Sequence, residues 1–457
     1  MKHKSRREFI KESIAVGAVA GSSVLGSGTA LGINAASQGR VLGANDRIRI
    51  GLVGCGGQGR ADLDKAIRIK NIECIALCDV DDSQTSRTAN MVEVVTTQKP
   101  GFTSRDFRKL LDLKDLDAVI VGTPDHWHAL PTIMACQAGK DVYVEKPLSV
   151  SIGEGRAIVA AARKYDRVVQ MGTQQRSAPH YRDAVEYVKS GTLGKIRLVR
   201  AWAYLDWKGE TPVLPDSDPP PTVDYDLWLG PARKRPFNKN RFHSTFRWYW
   251  DYSGGLMTDW GAHMIDIANW GMGIKAPSSA VSIGGKYGYP NDAMETPDTQ
   301  QAIWDFPELK LSMIWEHALG VGRGPEAREH GVAFHGNNGV LVIDRAGWEV
   351  YPETDSINKK RIFKMPGVPR MSAGSADYHG YHVKNFFDCM RSRQRPNSDV
   401  EIGHNSMIAC HLANIAQRLG RQVKWNVDKE MMINDPEAQR EVMREYRAPW
   451  KLPEIAG

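Results

Sequence analysis

Arg47-Ile48-Arg49-Ile50-Gly51-Leu52-Val53-Gly54-Cys55-Gly56-Gly57-Gln58-Gly59 is the stretch that decides the fold. It starts as a short β-branched run and ends in a GxGxxG loop, which alone is a weak signal. Here the loop opens a helical stretch, Ala61 to Ile69, and then a second strand, Ile72 to Leu77, leading to Asp79 twenty residues past Gly59. Strand, glycine loop, helix, strand and acid at this spacing match a dinucleotide-binding βαβ unit. Gly54 makes the tight turn, Gly56 lets backbone N–H groups approach a pyrophosphate, and Gly59 lets helix pack on strand; Gly57 and Gln58 complete the cradle. The helix N-terminus offers unpaired donors and positive partial charge to phosphates. Asp79 can accept from both ribose hydroxyls. Asp81 and Asp82 beside it would repel a 2′-phosphate, which favours NAD over NADP.

Outward from this unit, strand and helix signals keep alternating. Asp117 to Val121 is an apolar run ending at Gly122-Thr123-Pro124, and His128 to Ala138 is a helix closed by Gly139. Asp141 to Val144 runs into Glu145-Lys146-Pro147, and a helix from Ile152 to Tyr165 precedes a strand from Arg167 to Met171. Such alternation means a parallel, doubly wound α/β sheet of the Rossmann type. Ligands then bind beyond the carboxyl ends of the strands, where Thr123, Lys146 and Gln174 gather.

With 42% hydrophobic and 25% charged residues, the chain has an ordinary globular balance, and its 457 residues suit two or three domains. The net charge of +7 is no nucleic-acid signature, because five basic and two acidic side chains fall within the first 36 residues and the rest form no basic stripe. Six cysteines lack CxxC pairing or ligand spacing; they read as small buried hydrophobes, not as a disulfide framework. Ser5-Arg6-Arg7-Glu8-Phe9-Ile10-Lys11 reads as a twin-arginine signal, followed by a weakly apolar, Gly/Ser/Ala-diluted segment to Ala36. Residues 1–36 are therefore expected to be an export signal engaging the twin-arginine translocase, with the mature protein periplasmic or otherwise exported. No stable membrane insertion is expected beyond them. Twin-arginine export moves folded proteins, so a cofactor would be acquired before export and held tightly.

Four features together resemble the glucose–fructose oxidoreductase / inositol dehydrogenase (Gfo/Idh/MocA) family: the GCGGQG loop, TPDHWHA at 123–129, EKP at 145–147, and GGLMTDWGAHMIDIANW at 254–270. The resemblance implies a second α+β domain on a large, open, mostly antiparallel sheet, which commonly forms a homo-oligomer interface. The strand-like runs Ile196 to Tyr204, Thr299 to Phe306 and Leu309 to Trp315 agree. So do Val332 to His335 and Val340 to Asp344, flanking a hairpin signal at Asn338-Gly339. The expected layout is 45–172 for the nucleotide domain and 173–457 for the substrate and oligomerisation domain.

The resemblance also implies NAD(P)-dependent oxidation or reduction of a secondary hydroxyl or ketone of a sugar, glycoside or polyol. That reaction needs a base for the hydroxyl proton and a cation beside the oxygen. By the family motif, His263 is the expected acid/base, Lys146 the polarising cation and Asp259 the group that orients His263. Asp259 and His263 are at i and i+4, with Asp266 three further on, so one continuous helix would put them on one face. A cis bond at Pro147 would aim the lysine into the crevice. Thr123, Pro124, His128, Glu145 and Gln174 are expected at the cofactor, and Arg176, His180, Tyr181, His243, Arg247 and Trp248 around the substrate. The aromatic run Phe246 to Tyr252 reads either as a core cluster or as a stacking platform for sugar faces. His126, His128, Asp259, His263 and Asp266 could be imagined as metal ligands but lack zinc-type spacing, so no metal is expected. Two other functions compete. One is an NAD-dependent glycosidase working by transient oxidation and elimination, whose known relatives depart from EKP. The other is a non-catalytic sugar-binding protein, which an intact Lys/Asp/His set disfavours.

Overall fold

The computed structural model describes residues 47–355 and 362–455. The twin-arginine segment expected over 1–36 lies outside them. The nucleotide domain runs β1 (Ile48–Val53), α1 (Gly57–Ile67), β2 (Ile72–Cys78), α2 (Asp82–Thr96), β3 (Phe102–Ser104), β4 (Ala118–Val121), α3 (Ala129–Gln137), β5 (Asp141–Val144), α4 (Ile152–Lys164) and β6 (Val169–Met171). These strands form a six-stranded sheet in the order β3-β2-β1-β4-β5-β6, every pairing parallel. The order reverses at β1/β4, the topological switch point where α/β sheets bind ligands. β4 and β5 are buried throughout, as expected of strands covered on both faces. Side chains set the helix starts: Asp81 accepts from the Ser83 N–H to cap α2, and Ser151 from the Glu154 N–H to cap α4.

The chain continues through α5 (Pro179–Lys189), β7 (Leu198–Leu205), α6 (Gly255–Asp259), α7 (Gly261–Met272), β8 (Ser279–Gly285), β9 (Thr299–Phe306) and β10 (Leu311–Leu319). Next come β11 (His330–His335), β12 (Gly339–Asp344), β13 (Gly347–Pro352), and a small β14 (Thr354–Asp355) and β15 (Ile362–Phe363) pair. β16 (Val368–Ser372), α8 (Tyr378–Ser392), α9 (Val400–Leu419), β17 (Val423–Asn426) and β18 (Met431–Met432) follow. Among the described residues ten strands build the second sheet, β16-β13-β12-β11-β7-β10-β9-β8-β17-β18. All its pairings are antiparallel except β7 with β10. The hairpin signal at Asn338-Gly339 lies where β11 turns into β12, closed by Gly336 N–H to Gly339 O at 3.0 Å. β9 alternates buried and exposed residues, so one sheet face packs on helices and the other is open.

The later chain also completes the first domain. Val383, Phe386, Phe387 and Met390 of α8 share one core with Ile48, Ile50, Leu52, Leu63, Ala118 and Ile120. A division at residue 172 therefore follows the chain but not the packing. The six cysteines are buried and unpaired. No described helix is long and apolar enough to cross a membrane.

Candidate active site

A cavity of about 400 Å³ opens at the carboxyl ends of β1, β2, β4 and β5. Its walls include Gly54, Gly56, Gly57, Gln58, Asp79, Thr123, Pro124, Asp125, Glu145, Lys146, Arg247 and Asp259, so residues of both sheets' domains meet there.

The glycine loop is built as its spacing requires. Gly54 has φ +92°, and a Cβ there would land 2.5 Å from the Thr123 nitrogen. A Cβ on Gly59 would sit 2.1 Å from the Gly54 carbonyl oxygen, so α1 can seat against the loop only without a side chain. At Gly56 and Gly57 a Cβ would meet nothing within 4 Å; they border the cavity. No side chain caps α1, which leaves its first N–H groups available to an anion. Among the described residues the buried Thr123 hydroxyl on the same wall has no hydrogen-bond partner. Asp79 closes the end of β2, accepting from the Cys55 N–H at 2.6 Å and the Asp81 N–H at 2.9 Å. Burial pushes its carboxyl up to about 6 against those two donors, with the Asp81 charge adding to the rise. An open amide cradle, an orphan hydroxyl and an acid at the strand end fit a nicotinamide dinucleotide.

Lys146 follows β5, two residues past Val144, and is joined to Pro147 by a cis bond. Its ammonium lies 2.5 Å from Asp259 Oδ1 and 3.2 Å from the Asp259 carbonyl oxygen. Burial alone would raise the Asp259 carboxyl, but the charges of Lys146 and Arg247 hold it well below the carboxylate range. This differs from the expected pairing: no hydrogen bond joins Asp259 to His263, and among the described residues His263 Nδ1 is buried without a partner. α6 ends at Asp259 and a new helix begins at Gly261, with Trp260 in α-helical conformation between them, and the Lys146 ammonium takes the carboxylate. His263 is 5% exposed and off the cavity wall. Burial, with Lys146 and Arg345 nearby, keeps its imidazole well below its ordinary basicity, so it is neutral.

Several expected positions move. Arg176 is buried and fully engaged by Asp266, at 2.6 and 3.0 Å, while the Ser406 hydroxyl donates to the same carboxylate; it is an internal strut, not a substrate contact. Tyr181 is buried against Gln175, 3.0 Å away. His180, also buried, has Nε2 3.3 Å from the Asp344 carbonyl oxygen. His128 spans the carbonyl oxygens of Thr123 and Pro147, at 2.9 and 2.6 Å, and so braces the two motif loops from behind. Gln174 donates to Glu145 at 3.2 Å and stands off the cavity wall, whereas Glu145 is on it. His243 borders the cavity, its Nε2 2.9 Å from Asp81. Trp248 packs edge-on against Trp207, centroids 6.2 Å apart; of the aromatic run it is Phe246, with Arg247, that reaches the cavity. Among the described residues no cluster of three or more His, Cys, Asp or Glu is arranged to hold a metal ion.

Sequence reasoning missed Asp125, Trp127 and Trp228 as wall residues. Asp125 and Trp127 sit inside the quoted TPDHWHA motif, so position was the available signal. Nothing local marks Trp228.

Residues 48–173 match the oxidoreductase family's NAD-binding Rossmann fold, GFO_IDH_MocA. Residues 183–303 and 359–452 match that family's C-terminal alpha/beta domain. The uncharacterized oxidoreductase YrbE of Bacillus subtilis is 27% identical over 230 residues, 50% of this chain and 54% of its own. An alpha-N-acetylgalactosaminidase of Shewanella oneidensis is 27% identical over 205 residues, 42% of this chain and 44% of its own. The chain thus spans about half the length of these curated relatives. Levoglucosan dehydrogenase in complex with NADH and levoglucosan aligns with TM-score 0.61 at 18% identity, covering 83% of this chain and 99% of that one. Aldose-aldose oxidoreductase from Caulobacter crescentus aligns equally, TM-score 0.61 at 19% identity, with 83% and 99% covered. At such identities the likeness is one of fold.

Proposed function

Because the chain belongs to the Gfo/Idh/MocA oxidoreductase family, we propose that it oxidises or reduces a secondary hydroxyl or ketone of a sugar, glycoside or polyol, using NAD rather than NADP. The observation that carries this reading is the Lys146–Asp259 ion pair on the wall of the cavity that the glycine loop borders. When bound, the nicotinamide supplies the acceptor or donor of the reducing equivalent. Gly54, Gly56, Gly57 and the first N–H groups of α1 would hold its pyrophosphate, and Asp79 a ribose. Lys146 donates a hydrogen bond to the substrate oxygen and stabilises charge developing there. Asp259 holds the ammonium in place. His263, which stands behind the cavity wall, is the group that the family motif offers for the hydroxyl proton. The low-solvent wall of Trp127, Trp228 and Phe246 would cover the apolar faces of a ring.

The protein isolated from cells should release NAD on denaturation, and a sugar panel containing D-glucose and levoglucosan should change nicotinamide absorbance. His263→Ala should lower turnover about 10²–10⁴-fold while nucleotide stays bound; unchanged turnover removes His263 from the mechanism. The galactosaminidase relative favours a second reading, glycoside cleavage without net redox change; in the same panel, cleavage without reduced nucleotide accumulating would select it. We further propose twin-arginine export, supported by Arg6-Arg7 and checked by trapping of an Arg6→Lys/Arg7→Lys variant in the cytoplasm. A homo-oligomer through the open sheet face, where Ile283 is 66% and Ile303 45% exposed, is checked by sedimentation.

A further inference from the structure

Asp125 lies on the cavity wall with Lys146 and Asp259, 6% exposed. Among the described residues its carboxylate has one hydrogen-bond partner, the Ser253 hydroxyl, which donates to Oδ2. The charged groups that face it come from three separate segments: Asp259 at the end of α6, Lys146 after β5, and Arg247 from the turn before α6. Two carboxyl groups therefore share one neighbourhood and one close ammonium. Asp259 takes that ammonium directly and stays ionised. Asp125 has a neutral hydroxyl as its hydrogen-bond partner, a desolvated site and the negative charge of Asp259, against which the charges of Lys146 and Arg247 act. Burial first, then Asp259, push its carboxyl up to about 7. Two neighbouring carboxyls whose surroundings drive them apart divide the work into ion partner and proton carrier.

We propose that Asp125, which stands on the cavity wall, is an acid/base group of this cavity, taking up the proton of the substrate hydroxyl that Lys146 polarises and returning it in the reverse direction. The proposal rests on the oxidoreductase reading above. In the step itself the substrate O–H bond breaks and a new O–H bond forms on the Asp125 carboxylate. The electron pair stays on the substrate oxygen, stabilised by the Lys146 ammonium, so the carboxylate loses and the oxygen gains one negative charge. Burial and the charges of Lys146 and Arg345 hold the His263 imidazole well below its ordinary basicity. Asp79 and Glu145 are the other raised carboxyls on this wall, and loss of the transition in Asp125→Asn is what separates Asp125 from them.

The test needs no substrate at first. Trp127 borders the same cavity two residues from Asp125, so tryptophan fluorescence of the protein as isolated is followed against pH. The wild type should show a transition near 7. Asp125→Asn should remove it, and His263→Ala should leave it. Ser253→Ala should move it upward, because a donated hydrogen bond favours the charged form. In turnover of D-glucose or levoglucosan, whichever is oxidised, the same inflection should appear in the pH profile of kcat. It should be absent from Asp125→Asn, whose kcat falls about 10²-fold or more. A transition that survives Asp125→Asn, or disappears in His263→Ala, overturns the assignment; should Asp125→Asn fail to fold, an unmoved transition in Ser253→Ala does so. Absence of bound nucleotide and of any sugar oxidation would instead overturn the oxidoreductase reading, with the fluorescence transition still reporting on Asp125.

Discussion

Lys146 and Asp259 are 113 residues apart in sequence and meet as an ion pair with side chains 18% and 8% exposed. A strand end of the nucleotide sheet is thereby tied to a helix end of the second domain, at the wall of the shared cavity. Removing one partner of a buried pair leaves an uncompensated charge, a loss of about 3–5 kcal/mol. The partial exposure of Lys146 puts Asp259→Ala at the low end, about 3 kcal/mol, read from urea midpoints. Lys146→Met, which keeps the stem and removes the donor, should lower turnover about 10²–10³-fold with nucleotide still bound. A full-rate Lys146→Met enzyme is incompatible with the assigned role.

Arg176 and Asp266 form the more deeply buried pair, 6% and 1% exposed. Arg176→Ala should destabilise by about 3–5 kcal/mol, and the surviving folded fraction should bind substrate with unchanged KM. A KM that rises while the melting temperature holds would return Arg176 to the substrate site.

Asp79 predicts a pH dependence whose sign can be worked out. Its native carboxyl is raised to about 6, so the folded state holds the proton more tightly than the unfolded chain. Its contribution to stability is present at acid pH and fades as pH climbs through about 6. Ribose hydroxyls donating to the ionised carboxylate oppose that preference. NAD affinity should therefore rise with pH up to about 6, and binding at that pH should release protons. Calorimetry in two buffers of different ionisation enthalpy measures the release; none would detach Asp79 from the ribose.

The two glycines of the loop should separate packing from ligand space. Gly59→Ala puts a methyl 2.1 Å from the Gly54 carbonyl oxygen and should cost both nucleotide and fold. Gly57→Ala meets no protein atom within 4 Å, so it should keep the circular-dichroism spectrum and lose nucleotide affinity. Equal behaviour of the two would mean the open side of the loop holds no ligand.

What could be read from the sequence follows from range. The βαβ unit, the EKP strand end and the hairpin at Asn338-Gly339 are local patterns, set by glycine geometry and side-chain period, and the six-stranded parallel sheet and the mostly antiparallel second sheet match them. The partners were not legible. Asp259 lies four residues from His263, and spacing favoured that pair, yet a lysine from another domain takes the carboxylate. Arg176 has the composition of a sugar-binding residue, and only Asp266, 90 residues away, makes it a strut. Asp125 was inside a quoted motif, but its character depends on Asp259 and Ser253, which no local window contains.

The same range effect bears on where the chain can be cut. A boundary at 172 looks natural because the last parallel strand ends at Met171. The face of that sheet, however, is closed by Val383, Phe386, Phe387 and Met390 of α8, all at most 1% exposed. Burial of such side chains contributes about 1.5–3 kcal/mol each, comparable in sum to the whole stability of a domain. A fragment of residues 45–172 should therefore aggregate or expose an apolar surface that binds a hydrophobic dye, while the full chain does not. Phe386→Ala in the full chain should cost about 3–5 kcal/mol and loosen nucleotide binding, since Ile48, Leu52 and Leu63 around the glycine loop share its core. A 45–172 fragment that is monomeric, cooperatively folded and able to bind NAD would show that α8 covers the sheet without being needed for it.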